Sequence, residues 1–178
     1  MANQDIGTPR FYVDHISYQL SRGAAQNGNF DVTATHAGNT LMGTFTTGSE
    51  AELFDMNPLN KVTFDTSADT DAHVLITINT GGTVRVSYIA ILNHNLATAV
   101  GKIRIFAGDE STDVTAVDGA NADTGDITWA NDTVTEVVNG DTTTAASNDK
   151  SVVIEPATDG STIVRFAEQT NRYWGIQF

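Results

Sequence analysis

The side chains best suited to chemistry near neutral pH are four histidines, His15, His36, His73 and His94. No two lie closer than about twenty residues, whereas zinc and non-haem iron sites usually draw two ligands from one local element. The expectation is therefore that His94 bonds to backbone in a polar corner and that His73 opens a strand. Asp65, Asp69 and Asp71 form an acidic cluster ahead of a strand, and residues 109–126 supply a second. Calcium takes roughly six to eight oxygen ligands from flexible loops, which makes the first three aspartates the candidate metal ligands. Neither cluster has the glycine and terminal glutamate of an EF-hand at the required offsets. A solvated acidic loop is the favoured reading, and any bound calcium would be structural. No other cofactor is expected.

Nucleophilic chemistry finds no anchor. The chain has no cysteine, which removes disulfides, thiolate metal sites and cysteine nucleophiles. It has neither a Gly-x-Ser-x-Gly elbow nor a glycine-rich phosphate loop. Carboxylate pairs such as Asp14 with Asp31, or Glu50 with Glu52, lack a context that would raise one pKa. The sequence gives no ground for expecting an enzyme.

The aromatic residues suggest contacts instead. Trp129 lies in a stretch with few large apolar residues, where an exposed ring would stack on a sugar or anchor a protein interface. Its alternative, somewhat favoured, is to pin its own hairpin to the body of the fold. Phe11 and Tyr12, on an extended amino-terminal segment, are the other candidate interface residues. Trp174 and Tyr173 sit in a strand and read as core.

Composition narrows the partners. The formal net charge of -13 repels phosphate backbones and anionic membrane surfaces, so neither nucleic acid nor membrane insertion is expected. No apolar run approaches a membrane span, and the first residues lack the basic-then-apolar order of a secretory signal. With 178 residues, 40% hydrophobic and only 17% charged, the chain suits one domain with its own core. Its polar surface must come from Thr, Asn, Ser and Gly, which favours strands and turns over helices.

The elements that must position these residues follow from the pattern. Residues 84–92 form an apolar run rich in β-branched side chains, the signature of a strand buried on both faces. It ends at Asn93, His94 and Asn95, which tolerate turn geometry. Residues 102–106 alternate, with Ile103 and Ile105 inward and Lys102, Arg104 and Phe106 outward. Gly81 and Gly82 read as the turn of a hairpin pairing 73–79 with 84–92. Further strands are expected at 10–20, 30–35, 41–45, 61–65, 152–154, 161–166 and 173–178, with a helical turn near 50–56. The whole is expected to be an all-β antiparallel sandwich of one domain over 1–178, with an extended arm at 1–10 and a loop and hairpin insertion at 109–148.

The run 88–96 (YIAILNHNL), then 102–106 (KIRIF), and after the insertion 172–178 (RYWGIQF), resembles a pattern in virion proteins of tailed bacteriophages. Their tail and other structural proteins often carry a jelly-roll sandwich similar to galactose-binding, discoidin-like domains. The opening 9–14 (PRFYVD) also looks like the start of such proteins. The resemblance spans roughly residues 60–108 and 161–178, and the insertion departs from it. It implies a non-enzymatic structural protein of a virion, tail- or fibre-associated, assembled in the host cytoplasm. Its partners would be other virion proteins and further copies of itself. The alternatives are a capsid decoration protein on the same fold and a carbohydrate-binding module that recognises a host glycan.

Overall fold

The computed structural model describes residues 14–16, 18, 31–36, 45–55, 57, 59–64, 74–114, 125–129, 132–143 and 150–178. Among these residues the chain forms an antiparallel β-sandwich. Its strands are β1 (Asp31–His36), β2 (Phe45–Thr47), β3 (Thr63–Phe64), β4 (Val74–His94), β5 (Ile103–Gly108), β6 (Val134–Val138), β7 (Gly140–Thr143), β8 (Val152–Pro156) and β9 (Gly160–Gln177). The principal sheet runs β1-β4-β9-β5-β8-β7, with β6 also on β9, while β2 and β3 pair separately. Short 3-10 turns occupy Glu50–Phe54, close to the helical turn expected there, and Ser111–Val114.

β4 and β9 organise the molecule. They run to 21 and 18 residues and pair antiparallel along most of their length, Leu75 opposite Gln177 and Ile91 opposite Thr162. Their registers slip after Asn79 and again after Val86, where bulges let the strand pair bend, and the segments on either side face one common core as two layers. The first layer contains residues 74–79 of β4 and 173–177 of β9, with β1, β5, β8 and β7. The second contains residues 84–94 of β4 and 160–171 of β9, with β6 on the far side of β9.

Gly81 and Gly82 therefore mark a bulge and not the expected hairpin. Both halves of β4 pair with β9, and the register slips between Asn79 and Val84. Gly81 takes a positive φ of 74°, which a residue without Cβ adopts freely. Asn79 Oδ1 accepts from the Gly81 N–H (3.0 Å) and from Arg172 Nε (3.1 Å). Thr80 donates its hydroxyl to the carbonyls of Gly82 (2.6 Å) and Arg172 (2.8 Å). These local bonds satisfy polar groups that a hairpin would have paired across its own ladder.

Two other expectations change place. The segment covered on both faces is the start of β4, where Ile76 and Ile78 face the main core while Leu75 meets Phe106 and Val114 behind it. Residues 84–92 are one-sided: Val86, Ile89 and Ile91 pack on the core, whereas Arg85, Ser87, Ala90 and Leu92 are exposed. In β5, Ile103 and Ile105 point inward as expected, but Phe106 is only 2% exposed. It lies beneath the Ser111–Val114 turn and crosses Gly175, where any Cβ would collide with its ring. The expected strand at 10–20 is replaced, where described, by a helical turn in which Tyr18 donates to the Asp14 carbonyl.

The span 109–148, expected to hold a loop and hairpin insertion, joins the core where it is described. Its described parts supply Val114, Ile127, Trp129, β6 and β7 to the fold. β6 pairs with β9, and β7 pairs with β8. Trp129 is 0% exposed, the largest fully buried side chain. It meets Phe166 edge-on (5.2 Å between centroids), and Phe166 stacks on Trp174 at 5.9 Å. The indole N–H groups of Trp129 and Trp174 find no acceptor among the described residues. Each such group costs about 1–3 kcal/mol, so these rings are held by packing and apolar area. Trp129→Ala should lower unfolding stability by about 3–5 kcal/mol, measured by urea denaturation, with β-type circular dichroism retained in the folded baseline.

Candidate functional site

Of the residues singled out in the sequence, Phe11, Tyr12, Asp65, Asp69, Asp71 and His73 lie outside the described residues. Trp129 is core, which removes it as an exposed interface or sugar-stacking residue and favours its alternative role as a pin. Among the described residues no group of three His, Asp or Glu side chains is arranged to hold a metal. The carboxylates of the second acidic run serve the backbone. Asp126 accepts from the Asp109 N–H (2.8 Å), Asp113 from the Glu110 N–H (2.9 Å) and Asp109 from the Arg172 N–H (3.3 Å).

The densest polar constellation surrounds His94, at the corner where β4 ends, β6 passes into β7 and β9 begins. Three non-glycine residues with positive φ occur among the described residues: Asn93 (56°), Val100 (55°) and Asn139 (63°). All three belong to this corner, with Gly160 at 121°. Left-handed backbone comes at little cost for asparagine and is strained for a β-branched valine. Asn139 turns the chain from β6 into β7. Its side chain donates to the carbonyls of Thr158 (3.2 Å) and Ser161 (3.0 Å) and accepts from the Thr158 hydroxyl (2.8 Å). The Asp159 carboxylate accepts from both the N–H (2.9 Å) and the hydroxyl (2.6 Å) of Thr98, tying the turn after β4 to the turn before β9.

His94 and Thr162 have the composition of a catalytic pair, and their hydrogen bonds decide otherwise. His94 Nδ1 accepts from the Leu96 N–H (3.3 Å), which assigns the remaining ring proton to Nε2. That N–H donates to Thr162 Oγ1 (3.0 Å), and the Thr162 hydroxyl donates onward to the Asn139 carbonyl (3.2 Å). The imidazole has no lone pair left to take a proton from Thr162, and the hydroxyl proton points away from it. A base and nucleophile need the opposite arrangement. This corner is a clamp that joins three turns.

The second feature is the outer face of the second layer. The register sets Ala90, Ile163 and Val138 side by side across β4, β9 and β6, with Tyr88, Arg165 and Glu136 in the adjoining row. Leu92 follows Ala90 on the same face. Leu92 is 48% exposed and Val138 42%. Arg165 pairs with Glu136, and Arg85 with Glu168 at 3.6 Å, so ion pairs border the apolar row on one side. Sequence reading missed this face because residues 84–92 read as buried throughout. The alternation of Arg85, Ser87 and Ala90 against Val86, Ile89 and Ile91 was the available signal. Nothing local linked Asn139, Asp159 and Thr162 to His94.

Comparison with protein-family models, with curated proteins and with solved structures finds no match for this chain.

Burial lowers the His94 pKa below its ordinary 6.5, with Asp159 opposing the shift. A histidine with a lowered folded pKa takes up protons more readily unfolded, so its contribution to stability is complete above pH 6.5. That contribution is lost as pH falls through the lowered folded value. The Thr98 hydroxyl and N–H bonds lower the Asp159 pKa below 3.8, so its contribution is lost only at more acid pH. Urea denaturation between pH 8 and 5 should show wild-type stability falling below pH 6.5. The difference between wild type and His94→Gln should narrow over the same range, and a constant difference would count against the clamp's titration.

Proposed function

We propose that this chain is a non-enzymatic structural protein of a tailed-phage virion, tail- or fibre-associated, working through protein-protein contacts. The observation that carries the contact role is the open apolar row of Ala90, Leu92, Ile163 and Val138 on a well-braced sheet. Apolar side chains on a rigid, half-neutral face lose little conformational entropy on docking and gain by leaving water. The virion assignment is supported by the resemblance of residues 88–96, 102–106 and 172–178 to phage tail proteins with a jelly-roll, galactose-binding-like sandwich. A capsid decoration role would use the same contacts. The glycan-binding reading loses its main aromatic with the burial of Trp129.

Mass spectrometry of density-purified phage particles from cells encoding the chain should recover it at a fixed stoichiometry to known tail proteins. Its recovery only in the unassembled soluble fraction would overturn the virion assignment.

A further inference from the structure

We infer that the outer face of the second layer is a self-contact, at which two copies of this chain meet around a two-fold axis running along the row Ala90, Ile163 and Val138. The inference rests on the assembly reading above and names its partner as a second copy.

Charge selects that occupant. The chain as a whole carries a net charge of -13, so most apposed surfaces of two copies repel each other. The row itself carries no charge. The four ionised groups beside it, Arg85, Arg165, Glu136 and Glu168, balance and are paired within the face. A basic partner would be drawn to the acidic loops and not to this neutral row.

Charge also selects the axis. A closed dimer buries the same patch on both copies. Two in-plane two-fold axes lay the row on its own counterpart. An axis parallel to the strands would set Arg165 against Arg165 of the second copy and is disfavoured. An axis along the row sets Ala90 against Ala90, Ile163 against Ile163 and Val138 against Val138. It also carries the ion-pair ends of the two faces to opposite sides. The small Ala90 side chain lets the sheets approach there.

The size of the face sets the strength of the contact. The face comprises residues 84–94 of β4, 160–171 of β9 and the 5 residues of β6, and at about 4.8 Å between strands and about 3.3 Å per residue it presents on the order of 400 Å². Stable pairs bury about 800 Å² on each partner. The isolated dimer is therefore weak and becomes effective when many copies are held together. Salt should strengthen it, because screening relieves the overall repulsion without touching an apolar contact.

The absence of cysteine makes a direct test available. Ala90→Cys places one thiol on the proposed axis, and Leu59→Cys places one at a remote position that is 85% exposed. With a short bis-maleimide cross-linker, the Ala90→Cys protein should give covalent dimer at least tenfold more efficiently than Leu59→Cys, rising with protein concentration and with salt. Adding Leu92→Glu and Val138→Glu should abolish the excess, while circular dichroism confirms an intact fold. Equal cross-linking at the two positions, or an excess that survives the two glutamates, overturns the self-contact. Particles that contain the chain while it fails to cross-link remove this inference alone. Cross-linking by a chain missing from particles removes the virion assignment alone.

Discussion

β4 and β9 stay paired through both layers of the sandwich, and nearly every other element takes its place from how they bend together. Their pairing continues through three register slips, with extra residues in β4 after Asn79, in β9 before Gln169, and again in β4 between Ile91 and His94. The curvature is thus divided between the strands, and both stay paired on either side of it. Because β9 is central in both layers, β5 finds it in the first layer and β6 finds it in the second. The space between the layers is filled by Ile103, Ile105, Ile154, Val164, Phe166, Trp129 and Trp174.

Bending a sheet back on itself creates a corner that has to be closed, and the polar groups around His94 do this. The backbone there adopts left-handed geometry at Asn93, Val100 and Asn139. Strain of this kind persists only where surrounding bonds over-determine the geometry. Here Thr98, Asn139 and the run with Thr158, Asp159 and Thr162 supply those bonds from three separate stretches of chain. The imidazole is held in one neutral tautomer as a by-product of filling its place. A constellation that looks chemical by composition is thus structural by connectivity.

The sheet architecture was legible in the sequence because it rests on local alternation and β-branched runs, and Ile103, Ile105 and Trp174 are buried as the pattern required. What misled was information that is not local. Gly81 and Gly82 carry the same turn chemistry in a bulge as in a hairpin, and only the distant partner β9 distinguishes them. Phe106 alternates outward from Ile105, but a 3-10 turn brought from outside the strand covers it. Trp129 stands among small polar residues in sequence, yet in space it faces Phe166. The His94 corner draws on residues from four separate elements, so no spacing rule could have assembled it.

The central strand of both layers also has consequences for how the molecule comes into being. Leu75 lies opposite Gln177, a separation of roughly a hundred residues whose loop-closure entropy must be met before the ladder rewards it, which is the regime of slow folders. During synthesis β4 and β5 leave the ribosome well before residues 160–177 and wait with open edges. An edge in that state is a template for any extended segment, including the β9 of another chain. The strand that unifies the finished molecule is thus also the one most readily exchanged between molecules before each is complete.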